Sequence, residues 1–197
     1  MGDQGGRGGA GPGPADEQPA GLIPESARLR FRTWDAADLP LALRLWGDPA
    51  VTRYLARGPL SEDAIRARLE REHASLARYG FQYWPMFLRA DDRFVGCCGL
   101  KVSPYEGGPD ATELELGFHL VPDMWGQGLA TEAATAVAHV AFDRLHAARV
   151  FAGHHPENAA SRAVLNKLGF SFVRDVLFEP TGLMHPLYVL EPHRLAG

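Results

Sequence analysis

The order of the segments predicts an α/β fold with a mixed sheet. The chain has 197 residues and reads as a strand, two helices, three strands, and then a helix, a strand, a helix and two strands. A glycine-rich turn, "VPDMWGQGLATEAA" at 121–134, joins the fourth strand to an alanine-rich helix. The length favours one domain with a substantial core over two domains.

Capping residues delimit the elements of the first part of the chain. The segment "ARLRFRTW" (Ala27–Trp34) alternates apolar residues with arginines, which is typical of a half-exposed strand. Asp35 is the expected N-cap of a helix that runs to about Trp46, and "DPAVTRYL" predicts a short helical turn. Ser61 is the expected N-cap of a second helix, which ends at Gly80.

The remaining elements are predicted from short apolar runs between turn signals. Strands are expected at 81–89, 93–102, 112–120, 149–155, 171–179 and 183–191, and helices at 130–145 and 159–168. Pro85 suggests an edge or irregular position for its strand. Gly117 is a candidate bulge, and Gly169 is the expected stop of the last helix.

Composition excludes several classes of protein. The formal net charge of −4 argues against a general nucleic-acid binder. No apolar run is long enough to span a bilayer and the first residues lack the apolar core of a signal peptide, so a cytoplasmic protein without a membrane partner is expected. The adjacent Cys97 and Cys98 point to opposite faces of a strand and are expected to be reduced and buried.

The N-terminal segment differs from the rest. Its first 21 residues hold eight glycines and three prolines and almost nothing to bury. Such a segment cannot offset its own ordering entropy, so residues 1–22 are interpreted as a disordered tail and residues 23–197 as the folded domain.

The glycine-rich turn has the chemistry of a phosphate site. A helix N-terminus presents unpaired N–H groups and a partial positive charge, and Gly126 and Gly128 carry no side chain that would keep a phosphate away. An ordinary helix-capping turn is the simpler alternative. A P-loop is excluded because no Lys-Ser/Thr pair follows the glycines, and a dinucleotide fold is disfavoured because its acidic residue would fall near Arg149.

Two motifs together resemble a known family. "ELGFHLVPDMWGQGLATEA" and "NAASRAVLNKLGF" are similar to the two cofactor motifs of the GCN5-related N-acetyltransferase (GNAT) family, in the branch of RimJ/RimL type. "RFVGCCGL" and the segment from Ala27 to Leu55 are similar to its third strand and its opening segment. The resemblance covers roughly residues 24–192. It implies the GNAT fold, with a mixed sheet of about six or seven strands that splays between strands 4 and 5, flanked by about four helices.

The resemblance also implies a site for acetyl-CoA. Pantetheine would pair with the backbone at Leu120 and Val121, and Asn158 matches a residue that bonds the pantetheine or its neighbourhood. The expected cofactor-binding residues are Leu120, Val121, Trp125, Gly126, Gln127, Gly128, Leu129, Ala130, Thr131, Asn158, Ser161 and Lys167.

Three of these positions have alternative readings. Asn158 also suits the N-cap of the last helix, and Lys167 is equally compatible with a solvated helix position. Trp125 stands where the family often has Gln or Arg, as is frequent in the RimJ/RimL branch, so the backbone amides would hold the pyrophosphate without that cation.

Direct acyl transfer to an amine is the implied chemistry. A base is useful because amines are largely protonated at neutral pH, and Glu115 is the candidate, acting through a water. Alternatively, Glu113 and Glu115 only line a wetter strand face with His119. A backbone N–H near the Gly117 bulge would stabilise the oxyanion.

The leaving group has a single candidate donor. Many relatives carry a tyrosine where this chain has Leu165, which leaves Ser161 as the donor to the thiolate. Ser161 has the alternative role of bonding the helix or the pantetheine.

Histidines and aromatic residues near the expected acceptor site are ambiguous. His154 and His155 end the fifth strand, and since neighbours point to opposite faces, at most one is expected to line the cleft. No third ligand at suitable spacing accompanies them, so no metal is expected. The aromatics Tyr54, Tyr83 and Trp84 either wall the acceptor site or belong to the core.

The expected function is therefore transfer of an acetyl group from acetyl-CoA to a primary amine, either a protein N-terminus or a small molecule. A catalytically silent CoA-binding module is the alternative. The sequence leaves the acceptor open among protein N-termini, aminoglycosides, polyamines and amino-acid analogues, and it leaves the oligomeric state open, a homodimer included.

Overall fold

A seven-stranded mixed sheet forms the centre of the computed structural model, which describes residues 22–103 and 113–195. The strands are β1 Leu29–Phe31, β2 Tyr83–Leu88, β3 Phe94–Val102, β4 Glu113–Leu120, β5 Arg149–Gly153, β6 Ser171–Phe178 and β7 Leu183–Leu190. Their order is β1-β2-β3-β4-β5-β7-β6, and within the described ranges only β4 and β5 pair in parallel. The α/β class is confirmed. The predicted tail, apart from residue 22, and the loop predicted after β3 lie largely outside the described residues.

Most helix ends lie where the capping residues predict, whereas the helix expected at 130–145 is α-helical only to His139 and continues as a π-helical turn, Val140–Arg144. The helices are α1 Leu39–Trp46, α2 Pro49–Thr52, α3 Glu62–Tyr79, α4 Leu129–His139 and α5 Ala159–Leu168. The Ser61 hydroxyl accepts the Ala64 N–H at 3.2 Å, and Gly80 and Gly169 end their helices in the left-handed conformation. Asp35 caps a short 3-10 turn that leads into α1 rather than α1 itself. No helix of the described residues is long and apolar enough to cross a bilayer.

The core fills the space between the sheet and the helices. Helix α4 packs against β3 and β4, while α1 packs on α3. Trp34 and Trp46, whose ring centroids are 5.5 Å apart, are both almost completely buried. The Trp46 ring also contacts His119 on β4, so α1 and α3 lie over the β4 face that carries His119. This packing brings the polar side chains of α3 close to β4.

Two strand irregularities differ from expectation. Gly117 is not a bulge, because it lies opposite Gly99 in a β3–β4 register that is unbroken from Gly96 to Val102. The position is small because the Tyr83 hydroxyl and ring occupy the space that a side chain would need. Pro85 lies on β2, which is an interior strand and not an edge strand. It lies beyond the last residue that pairs with β1 and close to a register shift between β2 and β3, so the expected irregular position is confirmed.

Both cysteines behave as expected of buried thiols. Cys97 and Cys98 are fully buried in β3 and unbridged. Burial raises the pKa of each thiol well above its ordinary value. Neither thiol therefore forms the thiolate that nucleophilic catalysis needs.

Candidate active site

A cleft of about 1060 Å³ opens where β4 and β5 separate. The parallel pairing extends only from Glu113↔Arg149 to Glu115↔Phe151, although both strands continue beyond it. The splay between strands 4 and 5 is therefore confirmed. The second half of β4, the turn before α4, the start of α5 and part of α3 line the cleft. Elements that are distant in sequence thus share one cavity.

The backbone of β4 is divided between β3 and the cleft. The Val121 N–H donates to the Val95 carbonyl at 3.0 Å, and the Glu113 carbonyl accepts the Ser103 N–H at 2.9 Å. Because the register is unbroken, odd-numbered residues of β4 direct their backbone groups to β3 and even-numbered ones to the β5 side. Beyond Glu115, the Phe118 and Leu120 backbone groups therefore face the gap, and the Gly117 amide does not.

The glycine-rich turn has the conformation that its residues suggest. Gly126 and Gly128 adopt φ values of 73° and 75°, in the left-handed region, and α4 begins at the next residue, Leu129. No atom lies within 4 Å of the position of a Cβ on Gly126, so the space above this turn is open. The first N–H groups of α4 have no partner within the helix. An open turn at a helix N-terminus is the arrangement that binds an anion.

Two of the predicted cofactor residues are not brought to the cleft. Val121 is 1% exposed, its N–H is bonded to β3, and its carbonyl accepts the Met124 N–H. Both backbone groups of Val121 are therefore already hydrogen-bonded within the protein. Gln127 points away, its amide donating to the Asp123 carbonyl at 3.0 Å. The other members of the predicted set line the cleft: Leu120, Trp125, Gly126, Gly128, Leu129, Ala130, Thr131, Asn158, Ser161 and Lys167.

Trp125 contacts the end of β4 directly. Its indole N–H donates to the Leu120 carbonyl at 2.8 Å, and 43% of the residue is exposed. Trp125, which stands where the resemblance implies Gln or Arg, therefore donates its hydrogen bond to the carbonyl at which pantetheine is expected to pair. On the outer side of the turn, Arg28 donates to the Gln127 carbonyl at 3.1 Å and pairs with Glu132. These bonds hold the turn against β1.

The start of α5 lines the opposite side of the cleft. The Asn158 side chain accepts the Ser161 N–H at 3.0 Å, so its role as N-cap is confirmed. Asn158 and Ser161 border the cavity at the same time, and Lys167 reaches it from the last turn as an exposed side chain. Leu165, in the position of the missing tyrosine, is buried and apolar.

Glu115 is buried at the point where the two strands part. It is 9% exposed and forms an ion pair with Lys101 at 3.0 Å, directly across the β3–β4 ladder. The lysine offsets the cost of burying a carboxylate and favours its charged form. Glu113 pairs with Arg149 instead and does not line the cleft. Of the two acidic residues on this strand face, Glu115 is therefore the one that a ligand in the cleft can reach.

Tyr83 and His119 are both held neutral beside Glu115. Burial first, and then the Glu115 carboxylate, raises the pKa of Tyr83 well above its ordinary value. Burial, together with the cations of Arg68 and Lys101, lowers the pKa of His119 well below its ordinary value. The His119 Nδ1 accepts the Trp46 indole N–H at 3.4 Å, so the proton of the neutral ring is on Nε2. Neither side chain carries charge near neutral pH.

Helix α3 supplies two cleft residues that the sequence analysis missed. Arg68 lies over the Trp46 ring, 4.5 Å from its centroid, and Glu72 accepts the Tyr83 N–H at 2.8 Å. Burial raises the pKa of the Glu72 carboxyl. Both residues fall in the helical stripe of the buried Ile65 and Leu69, at spacings of three and four. Charged residues within an apolar stripe are the signal that would have identified them.

An aromatic wall closes the far side of the cleft. His155 lies 5.1 Å from the Tyr54 ring and 5.4 Å from His185, which lies 4.7 Å from Phe178. Both His154 and His155 line the cleft, so the expectation of at most one is wrong: β5 ends at Gly153, and strand alternation stops before them. Tyr54 and Tyr83 line the cleft as well, whereas Trp84 belongs to the core. In the described part of the chain, no group of three side chains could ligate a metal ion.

Comparison with known proteins identifies the same architecture. The profile of the family described as "Acetyltransferase (GNAT) domain" matches residues 28–171. The uncharacterized N-acetyltransferase p20 of Bacillus licheniformis is 28% identical over 144 residues, which are 73% of this chain and 79% of that protein. The FsC-acetyl coenzyme A-N(2)-transacetylase of Aspergillus fumigatus is 34% identical over 153 residues, which are 75% of this chain and 64% of that protein.

A solved structure shows the same fold with a CoA derivative. Mycobacterium smegmatis RimJ in complex with CoA-disulfide is similar with a TM-score of 0.67 and 19% identity, over 87% of this chain and 89% of that chain. At that identity the likeness concerns the fold.

Proposed function

We propose that this chain acetylates a primary amine by direct transfer from acetyl-CoA, with Glu115 as the base. The chain belongs to the family of GNAT acetyltransferase domains. Members of this family are N-acetyltransferases that use acetyl-CoA and an amine. One observation carries this proposal: the Glu115 carboxylate and the open glycine turn before α4 border the same cleft. A donor bound at the turn and an amine near Glu115 would therefore meet inside one cavity. The likeness to RimJ supports placing the chain in the RimJ/RimL-like branch.

The residues around the turn fit acetyl-CoA. The free N–H groups at the start of α4 and the open space above Gly126 suit a pyrophosphate. The proposed binding residues are those of the predicted set that line the cleft. The backbone N–H of Gln127 is added to them because it belongs to the same turn. Val121 is left out because β3 and Met124 already use its backbone groups. Acetyl-CoA supplies the activated thioester when bound.

Glu115 is proposed as the base that takes a proton from the amine through a water. The Lys101 ion pair at 3.0 Å favours a charged carboxylate, which is the form that a base requires. Tyr83, kept neutral beside it, has a hydroxyl available for hydrogen bonding to the acceptor. The Phe118 amide faces the gap, where an N–H donor is needed for the oxygen that gains negative charge during acyl transfer.

Ser161 is proposed as the donor to the leaving thiolate. It is partly buried on the cleft side of α5 and held there by the bond between its N–H and Asn158. Because a CoA thiolate is a fair leaving group, the loss of Ser161 is expected to slow the reaction less than the loss of Glu115.

The test measures release of free thiol from acetyl-CoA with a panel of amines, comparing Glu115→Gln with Glu113→Gln. The Glu115 variant is expected to lose roughly 100-fold or more in kcat and to keep its affinity for CoA. The Glu113 variant is a matched control, since it removes a carboxylate from the same strand face outside the cleft. Full activity of Glu115→Gln at all pH values would exclude the base assignment.

The same assay separates an enzyme from a silent CoA-binding module. A module would be stabilised against heat by CoA and release no thiol with any amine of the panel. Release of thiol that depends on one class of amine would identify the acceptor.

A further inference from the structure

We infer that the acceptor carries a carboxylate beside its amine, as a free amino acid does, and that Arg68 binds this carboxylate. The inference rests on the proposed function, because it assigns the acceptor side of the same cleft. It separates amino-acid acceptors from polyamines, aminoglycosides and peptide N-termini.

Arg68 is a charged side chain that lines the cleft and forms no ion pair with the described residues. Its guanidinium carbon lies 4.5 Å from the centroid of the Trp46 ring. Its Nε is completely buried, and none of the described residues accepts a hydrogen bond from it. A buried donor without an acceptor is costly in free energy and is rarely retained without a function. The planar fork of an arginine is the group that suits a carboxylate best.

The obvious internal partner of Arg68 points elsewhere. Glu72 lies one helical turn further along α3, at the spacing that often gives an ion pair. Its carboxylate instead accepts the Tyr83 N–H at 2.8 Å, which fixes it against β2. Burial raises the pKa of Glu72, whereas the Tyr83 N–H and the Arg68 charge act in the opposite direction, so Glu72 and Arg68 influence each other without a direct hydrogen bond. The Arg68 fork therefore remains available to a ligand.

Arg68 lies within electrostatic range of His119 and Tyr83, the two side chains beside Glu115. Its charge lowers the pKa of His119, and it opposes the effect of Glu115 on the pKa of Tyr83. Tyr83 is thus influenced by the proposed base on one side and by the free cation on the other. A small acceptor with its amine near Glu115 and a neighbouring carboxylate on Arg68 would span this region.

The charge balance at this end of the cleft disfavours an acceptor with several positive charges. Arg68, Arg71 and Lys101 line the cleft together with Glu72 and Glu115. Of the two carboxylates, Glu115 is already paired with Lys101, and Glu72 accepts the Tyr83 N–H at 2.8 Å. A second ammonium group of a polyamine would therefore meet cations rather than free carboxylates.

The aromatic wall provides room for the side chain of such an acceptor. Four rings lie in a row, with the centroids of successive rings 4.7 to 5.4 Å apart: Tyr54, His155, His185 and Phe178. Burial and the neighbouring histidines keep the pKa of His185 at about 4, so this ring is neutral near pH 7. Flat aromatic surfaces of this kind favour an apolar or aromatic group.

The experiment compares free amino acids with their amides, and refers each kcat/KM to the concentration of neutral amine, because the amine of an amide has the lower pKa. Initial rates of thiol release are measured with phenylalanine and phenylalaninamide, serine and serinamide, a Ser-starting peptide amide, and putrescine. The kcat/KM of the better free amino acid is expected to exceed that of its amide by roughly 10- to 100-fold. A preference for amides, peptides or putrescine would overturn the inference and leave the proposed function intact. Absence of thiol release with every amine would overturn both.

Variants of Arg68 distinguish carboxylate binding from packing on Trp46. In Arg68→Gln the ratio of kcat/KM between acid and amide should fall to about one, mainly through a higher KM for the acid. Arg68→Lys, which keeps the charge and loses the fork, should be intermediate. The control is Arg66→Gln on the exposed side of the same helix, where Arg66 pairs with Glu62, and it should leave the ratio unchanged. An equal loss for acid and amide in Arg68→Gln would show a structural role and refute the inference.

A second measurement does not depend on folding of the variants. In the unaltered protein, 3-phenylpropanoate should compete with the acceptor, because it carries the carboxylate without the amine. Its amide should compete at least about 10-fold less well. Equal competition by the two compounds would contradict a carboxylate site.

Discussion

Gly117→Ala tests whether Tyr83 closes the face of β4 beside the proposed base. A Cβ on this residue would overlap the Tyr83 hydroxyl and would lie 2.7 and 2.9 Å from two ring carbons. Tyr83 is 7% exposed, so the ring cannot move without disturbing its neighbours. Overpacking of this kind costs about 1–3 kcal/mol, and the lower entropy of unfolded alanine returns about 0.5–1 kcal/mol.

Taking the middle of both ranges, the expected net loss in the free energy of unfolding is about 1.3 kcal/mol. For a domain of this size that corresponds to a fall in Tm of roughly 3–5 °C. Urea unfolding measures the free energy, and kcat measures the displacement of the ring beside Glu115. Both are expected to decrease together, because the same movement causes both.

Two further variants make the test strict. Gly58→Ala is the control, because no atom lies within 4 Å of the position of its Cβ, and its stability should stay the same or rise slightly. Tyr83→Phe combined with Gly117→Ala should recover only part of the loss, since the ring carbons remain too close. A Gly117→Ala protein as stable and active as the unaltered one would refute the steric argument.

Two other predictions follow from backbone conformation and from buried imidazoles. Gly128→Ala should lower the free energy of unfolding by about 1–2 kcal/mol, because alanine is strained at φ 75°, and it should raise the KM for acetyl-CoA. Gly128→Asn should lose less stability than Gly128→Ala. An equal loss of stability in the two variants would contradict conformational strain. The lowered pKa of His185, about 4, means that the unfolded chain binds a proton before the folded chain does, so stability should fall as the pH drops from about 6.5 to about 4. Urea unfolding at several pH values should show a smaller loss of stability at low pH for His185→Gln. The same substitution at the exposed His193 should leave the pH dependence unchanged. Identical pH dependence of stability in His185→Gln and the unaltered protein would refute the role of His185.

Local signals in the sequence were sufficient for most elements. Ser61, Gly80 and Gly169 delimit helices through interactions within a few residues of the chain, and such interactions can be read from neighbouring letters. The glycine turn was recognisable for the same reason, because its positive φ angles and the following helix are local properties. The placement of Glu115 relied on strand alternation together with the family resemblance.

The errors concern contacts between distant segments. Gly117 is small because of Tyr83, which lies on another strand, and the sequence alone offered a bulge as the nearest local explanation. The bond from the Val121 N–H to the Val95 carbonyl of β3 is a contact of the same kind, which the neighbouring residues of Val121 do not indicate. Arg68 was overlooked because a charged residue on a long helix is usually solvated, and only the packing of α3 over Trp46 turns it into the cleft.

The indole of Trp125 has an optical consequence. The chain has four tryptophans, and the other three, Trp34, Trp46 and Trp84, are at most 4% exposed. Solvent-relaxed, long-wavelength emission should therefore come from Trp125 alone, which borders the proposed donor site. Occupation of that site would desolvate this ring and shift its emission to the blue, while the three interior rings provide an invariant background. Tryptophan fluorescence of the unaltered protein is thus expected to report donor binding without an added label.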